Sequence, residues 1–153
     1  MPLYNVTTSP GVAVPTSSVA CTLIQLAAAA TRRLRLTELG VSAVSVTASD
    51  VPMLIEVLLE TSAGTTPTTT LTPTAVDSAE PAALMTSFAG PYATDPTGST
   101  VYRNFMLSPI GSTFVIQFPL GTEIVVAVST KLGIRATSPQ AEANVHCYCQ
   151  VME

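Results

Sequence analysis

His146, Cys147 and Cys149 stand almost side by side in "NVHCYCQVM" (residues 144–152), and Cys21 supplies the third cysteine of the chain. Imidazole and thiolate are zinc ligands, and zinc needs three or four of them converging within about 2.0–2.3 Å of one point. The spacing works against that. In an extended segment successive side chains point to opposite faces. Val145, Cys147, Cys149 and Val151 then share one face, while His146, Tyr148, Gln150 and Met152 share the other. The only histidine is on the wrong side of the two thiols, so they read as small buried hydrophobes. Strand residues two apart also have Cα atoms about 6.5–7 Å from each other, poorly placed for a disulfide. An odd cysteine count suits no disulfide framework either. No metal and no cofactor is expected.

A second cluster is cationic. "TRRLRLTEL" (residues 31–39) carries Arg32, Arg33 and Arg35, half of the six lysines and arginines in the chain. A planar guanidinium suits carboxylates and phosphates, so three together could clamp an anion. On a strand, however, Arg33 and Arg35 point one way and Leu34 and Leu36 the other, the pattern of an outer face over an apolar core. The arginines therefore read as surface or interface charges, and as the first ion-pair donors for an acidic neighbour. A general nucleic-acid binder needs clustered lysine and arginine along phosphates, and a net charge of −4 excludes that class. Enzyme signatures are missing: there is no G-x-S-x-G elbow, no phosphate loop and no G-x-G-x-x-G. The ten carboxylates follow no pairing pattern. A non-enzymatic protein is expected.

The composition sets what must surround these groups. At 153 residues one domain can bury a real core. Charged residues make up 10% and apolar ones 47%, with a mean hydropathy of +0.46, whereas an ordinary soluble domain is about 25% charged. Few charges and much apolar surface favour a subunit covered by copies of itself or by a partner. The longest charge-free apolar block, residues 19–30, is twelve residues, short of the roughly 20 that span a bilayer. No cation precedes Arg32, so no secretory leader is read. A soluble, cytoplasmically made protein without membrane attachment is expected.

Between twelve prolines and eight glycines lie short alternating runs. Phe114, Ile116 and Phe118 share a face in "FVIQF"; "EIVVAVS", "LGIRAT" and "TVYRNFML" follow the same rule. In "MLIEVLLE" the alternation sets Ile55, Val57 and Leu59 inward, Glu56 and Glu60 outward. Period-two runs bounded by turn residues read as strands, and their number suggests an antiparallel sandwich or jelly roll. The stretch from Ser18 to Leu36 is ambiguous. Four alanines and a serine cap favour a helix, while "TLIQL" and "RLRLTEL" favour two strands joined near Ala28–Thr31. Residues 65–74, rich in Thr and Pro, read as a loop, with an edge strand and loop as the plainer alternative, and residues 77–99 read as a long loop, of the length that is often functional. The polar, Pro-containing residues 1–18 read as an extended arm ahead of a single domain over 19–153. Tyr4, Val6, Tyr92 and Tyr102 join Arg32, Arg33 and Arg35 as candidate interface residues.

Five stretches, "TRRLRLTELGVSA", "DVPMLIEVLLETSAGT", "DSAEPAALMTSF", "STFVIQFPLGTEIVVAVSTKLGIRATSP" and "NVHCYCQVME", occur here in an order that resembles small virion proteins of tailed bacteriophages, of the capsid decoration (cement) type. The closing "CYCQVME" departs from that pattern in lacking a tryptophan. The resemblance implies a β-sandwich or jelly roll, a homotrimer on the outer capsid surface, and the major capsid protein as partner. The alternative expectation is a receptor- or carbohydrate-binding module of a phage tail or spike, for which exposed aromatics over a polar pocket would speak.

Overall fold

The ambiguous stretch forms strands, and so does every other regular element of the described residues. The computed structural model describes residues 1–15, 19–44, 51–108, 110–139 and 142–153. Thirteen strands there form two sheets, and every pairing is antiparallel. The first sheet runs, in spatial order, β10 (Ser112–Gln117), β4 (Leu34–Val44), β13 (Glu142–Met152), β1 (Leu3–Thr7) and β7 (Thr74–Ala75). Within it β11 (Ile124–Val126) also pairs with β4, and β2 (Val12–Val14) with β13. The second sheet runs β6 (Thr65–Leu71), β8 (Thr86–Thr94), β3 (Ala20–Ala27), β12 (Lys131–Thr137), β5 (Met53–Glu60) and β9 (Gly98–Leu107).

Alternation explains the core. Leu34, Leu36, Val145, Cys147, Cys149 and Val151 of the first sheet lie with Ile24, Leu26, Ile55, Val57, Leu132 and Ile134 of the second in one buried cluster. Burying a side chain of this kind contributes about 1.5–3 kcal/mol, which outweighs the helix preference of four alanines, worth only tenths each. The chain therefore bends at Ala30 and Thr31 and returns as β4.

Three expectations change. Residues 3–14 do not lie outside the core as an arm. Tyr4 faces Val151 and Val6 faces Cys149 in the register of β1 with β13, so their alternation matches that of the neighbouring strand. Tyr4, Val6, Val12 and Val14 are all buried. Residues 77–99 are not one loop, because β8 occupies their middle, bonded to β3 on one side and β6 on the other. Its inward residues, Ser87 and Ala89, are too small to have announced a strand. Of the two readings of the Thr- and Pro-rich run, residues 65–71 take the edge strand, β6.

The fourth change concerns what an outward face means. Glu60 lies on the outer face of the second sheet, as the alternation requires, yet it is 4% exposed. Leu58 on the same face is buried too. The connection from β8 to β9 lies over them: the Asp95 carboxylate accepts a hydrogen bond from the Thr22 amide at 2.8 Å, and Pro96 is buried.

Candidate functional site

The turn between β3 and β4 brings Arg32 and Arg33 to the surface, and Arg35 follows on the outer face of β4, opposite Val125 of β11 and Met152 of β13. Because β1 pairs with the end of β13, Met1 and Pro2 arrive beside Glu153. Together Met1, Pro2, Arg32, Arg33, Arg35 and Glu153 line an open hollow of about 460 Å³. Three guanidinium groups thus face one carboxylate side chain, in a molecule of net charge −4. That carboxylate is engaged elsewhere. Its two oxygens accept the backbone N–H groups of Leu84 at 2.9 Å and Met85 at 2.6 Å, which fixes Glu153 at the wall, 4% exposed. Arg35 reaches Glu123 only at 3.9 Å. Among the described residues Arg32 and Arg33 form no ion pair. What this arrangement can do chemically is hold negative charge.

The other residues singled out from sequence are elsewhere. Tyr4 and Val6 are core residues, and the Tyr4 hydroxyl donates to the Pro81 carbonyl at 2.9 Å. Tyr92 is buried, with no hydrogen-bond partner for its hydroxyl among the described residues. Tyr102 is half-buried against the edge of the core. Arg32, Arg33 and Arg35 alone are brought together. Met1, Pro2 and Glu153, which complete the hollow, carried no sequence signal, since strand pairing between distant segments delivers them.

The tail thiols occupy the face that alternation assigned them. Cys147 and Cys149 are buried, and His146 on the opposite face is exposed. Burial pushes the Cys149 thiol up to about 12 and raises Cys147 well above its ordinary range. Burial, aided by the Asp95 carboxylate, takes Cys21 to about 12. A thiol held protonated is neither a nucleophile nor a good ligand. Among the described residues no group of three or more His, Cys, Asp or Glu side chains could hold a metal ion.

A second polar centre was not legible. On the outer face of the second sheet, the amide nitrogen of Gln25 donates to Glu60 Oε2 at 2.6 Å, and the Thr22 hydroxyl lies 3.4 Å from Oε1. Gly133 of β12 faces the same carboxylate, and a Cβ there would run into it. Burial pushes the Glu60 carboxyl up to about 7, against the hydrogen bonds from Gln25 and Thr22 and the charge of Arg135, with Asp95 reinforcing the rise. The nearest cation is committed: Arg135 binds Glu56 at 2.9 Å. Glu60 is enclosed by its own chain, so this centre acts on the fold rather than on a ligand.

One side of the molecule is left open. β9 ends the second sheet and β10 ends the first, and they meet through Phe105 and Phe114, whose rings stack at 3.9 Å between centroids. Val101 and Met106 of β9, Val115 of β10 and Val125 of β11 are exposed, as are Ile110 and Leu120 in the connections between these strands, Met106 by 60% and Leu120 by 91%. No family model matches the chain, and neither a curated protein nor a solved structure matches it.

Proposed function

We propose that this chain is a structural protein of a bacteriophage virion, a β-sandwich of jelly-roll type that assembles as a homotrimer and decorates the outer capsid surface by binding the major capsid protein. It would be made in the host cytoplasm and act without catalysis or cofactor. One observation carries the reading: a chain with 10% charged residues leaves a run of large apolar side chains exposed between residues 101 and 125, beside the open edges of both sheets. Exposed apolar patches of that kind mark contacts with other proteins, and closed cyclic assembly gives such a surface a defined partner. A decoration protein stabilises a shell because it binds the assembled form and not the dissociated one, which asks for surface rather than for a pocket. The receptor- or carbohydrate-binding alternative draws on exposed aromatics, and it loses Tyr92 to burial.

Sedimentation velocity over a hundredfold range of concentration is expected to give a trimer. Images of particles assembled with and without the chain are expected to differ by added density on the outer shell. A dispersed monomer at every concentration, with identical particles, would reject the proposal.

A further inference from the structure

The hollow beside the β3–β4 turn invites a more specific assignment. We propose that it is a docking site for an acidic protein segment, with Arg32, Arg33 and Arg35 each receiving carboxylates of the partner. The identity of that partner as a shell protein rests on the reading above; the chemistry of the site does not.

The distribution of charge is the first support. Half of the cations in the chain line one hollow. Where a carboxylate of its own lies within reach, the fold uses it closely, as Arg135 does with Glu56 at 2.9 Å. In the hollow it does not: Arg35 and Glu123 remain 3.9 Å apart, and Glu153 is turned onto two backbone amides. Among the described residues the guanidinium groups of Arg32 and Arg33 have no ion pair, which leaves their donors for an outside ligand. The walls give the second support. The hollow is open to solvent, and its volume of about 460 Å³ leaves room for a side chain of a partner to lie in it. Met1 and Pro2 add an apolar wall, against which the methylene stem of a glutamate can lie.

Net charge separates an acidic protein segment from the other polyanions. A nucleic acid extends beyond the hollow over a surface that carries ten carboxylates against six cations, where each further phosphate is repelled. A short acidic segment meets the arginines and ends. The planar fork of arginine favours the carboxylate in two-point contact.

Fluorescein-labelled hexaglutamate is the probe, read by anisotropy against the purified protein at 50 mM salt. Saturable binding is expected, falling away by 0.5 M salt as screening removes the attraction. The double variant R32E/R33E is expected to weaken it at least tenfold. R32Q/R33Q is expected to weaken it less and serves should the reversal disturb folding, as checked by circular dichroism. Inorganic phosphate or a short DNA duplex at matched charge should not displace the peptide. Absence of saturable binding, unchanged affinity in both variants, or equal displacement by phosphate or duplex would each overturn the assignment. Hexaglutamate binding without decoration of particles would support this site while rejecting the capsid reading. Decoration left intact by R32E/R33E would reject the shell protein as the partner of this site and leave the capsid reading standing.

Discussion

Replacing Glu60 by Gln should make the protein more stable, by much more at pH 8 than at pH 5. The carboxyl titrates at about 7 in the fold against an ordinary 4.5, so folding carries an extra bound proton between those values. The contribution is fully present below pH 4.5 and is lost as the pH rises through 7, because the folded state must then ionise a buried acid. At about 1.36 kcal/mol per pH unit of difference, the ionised fold is on the order of 3 kcal/mol less stable than the protonated one. Glutamine holds the neutral form at every pH. Its carbonyl can accept from Gln25, and its amide can donate to the Thr22 hydroxyl, so both contacts observed at Glu60 keep a partner. Urea unfolding at pH 5, 6, 7 and 8, at one fixed protein concentration, measures the difference between variant and parent. That difference should stay just under about 1 kcal/mol at pH 5 and grow to about 3 kcal/mol by pH 8. Parallel stability curves across this range would refute the reasoning, since they would mean that Glu60 ionises as freely in the fold as outside it.

Two further outcomes follow from the same packing. Gly133→Ala places a methyl group against the Glu60 carboxylate, and overpacking of this kind costs about 1–3 kcal/mol; a lowered melting temperature checks it. A thiol reagent such as dithiobisnitrobenzoate should label none of the three buried cysteines in native buffer and all of them in denaturant, and fast native labelling of Cys21 would show that its surroundings open.

The alternation of single strands was readable, and what alternation could not reach was tertiary. Leu34 and Leu36 against Arg35 predicted the faces of β4 correctly, and the same rule separated Cys147 and Cys149 from His146. The pairs Tyr4 and Val6, and Val12 and Val14, alternate just as clearly, and they were overlooked because prolines and threonines around them resemble an arm. β8 is different. With only Ser87 and Ala89 facing the core and Gly90 and Pro91 inside it, local preference opposes a strand, and pairing on both sides imposes one. Glu60 shows the limit most plainly. Period two tells which face a side chain takes, but not whether the connection after β8 will later cover that face. The arginine hollow was half legible: three residues share one short segment, while Met1, Pro2 and Glu153 reach it only through the pairing of β1 with β13.

The two sides of the sheets end differently, and the difference bears on where another chain can attach. An unpaired edge presents a row of free N–H and C=O groups, and natural proteins blunt such rows with proline, short strands or charge. On one side the devices are present. β6 carries Pro67, which removes a donor, and β7 is two residues long. On the other side they are scarce. β9 runs ten residues without proline, with Arg103 as its only charge, and β10 runs six with neither. Met106 and Val115 stand exposed beside them. An edge of that length left without protection invites pairing with whatever strand comes near, which makes it the place to test the proposed assembly. Introducing a lysine at Val115 and at Met106 supplies the missing charge at an exposed position of each strand, where the fold itself loses little. If the proposed trimer assembles through this side, that double change will shift it toward monomer in sedimentation while melting of the monomer stays put; a proposed trimer left unaltered would move the contact to another face.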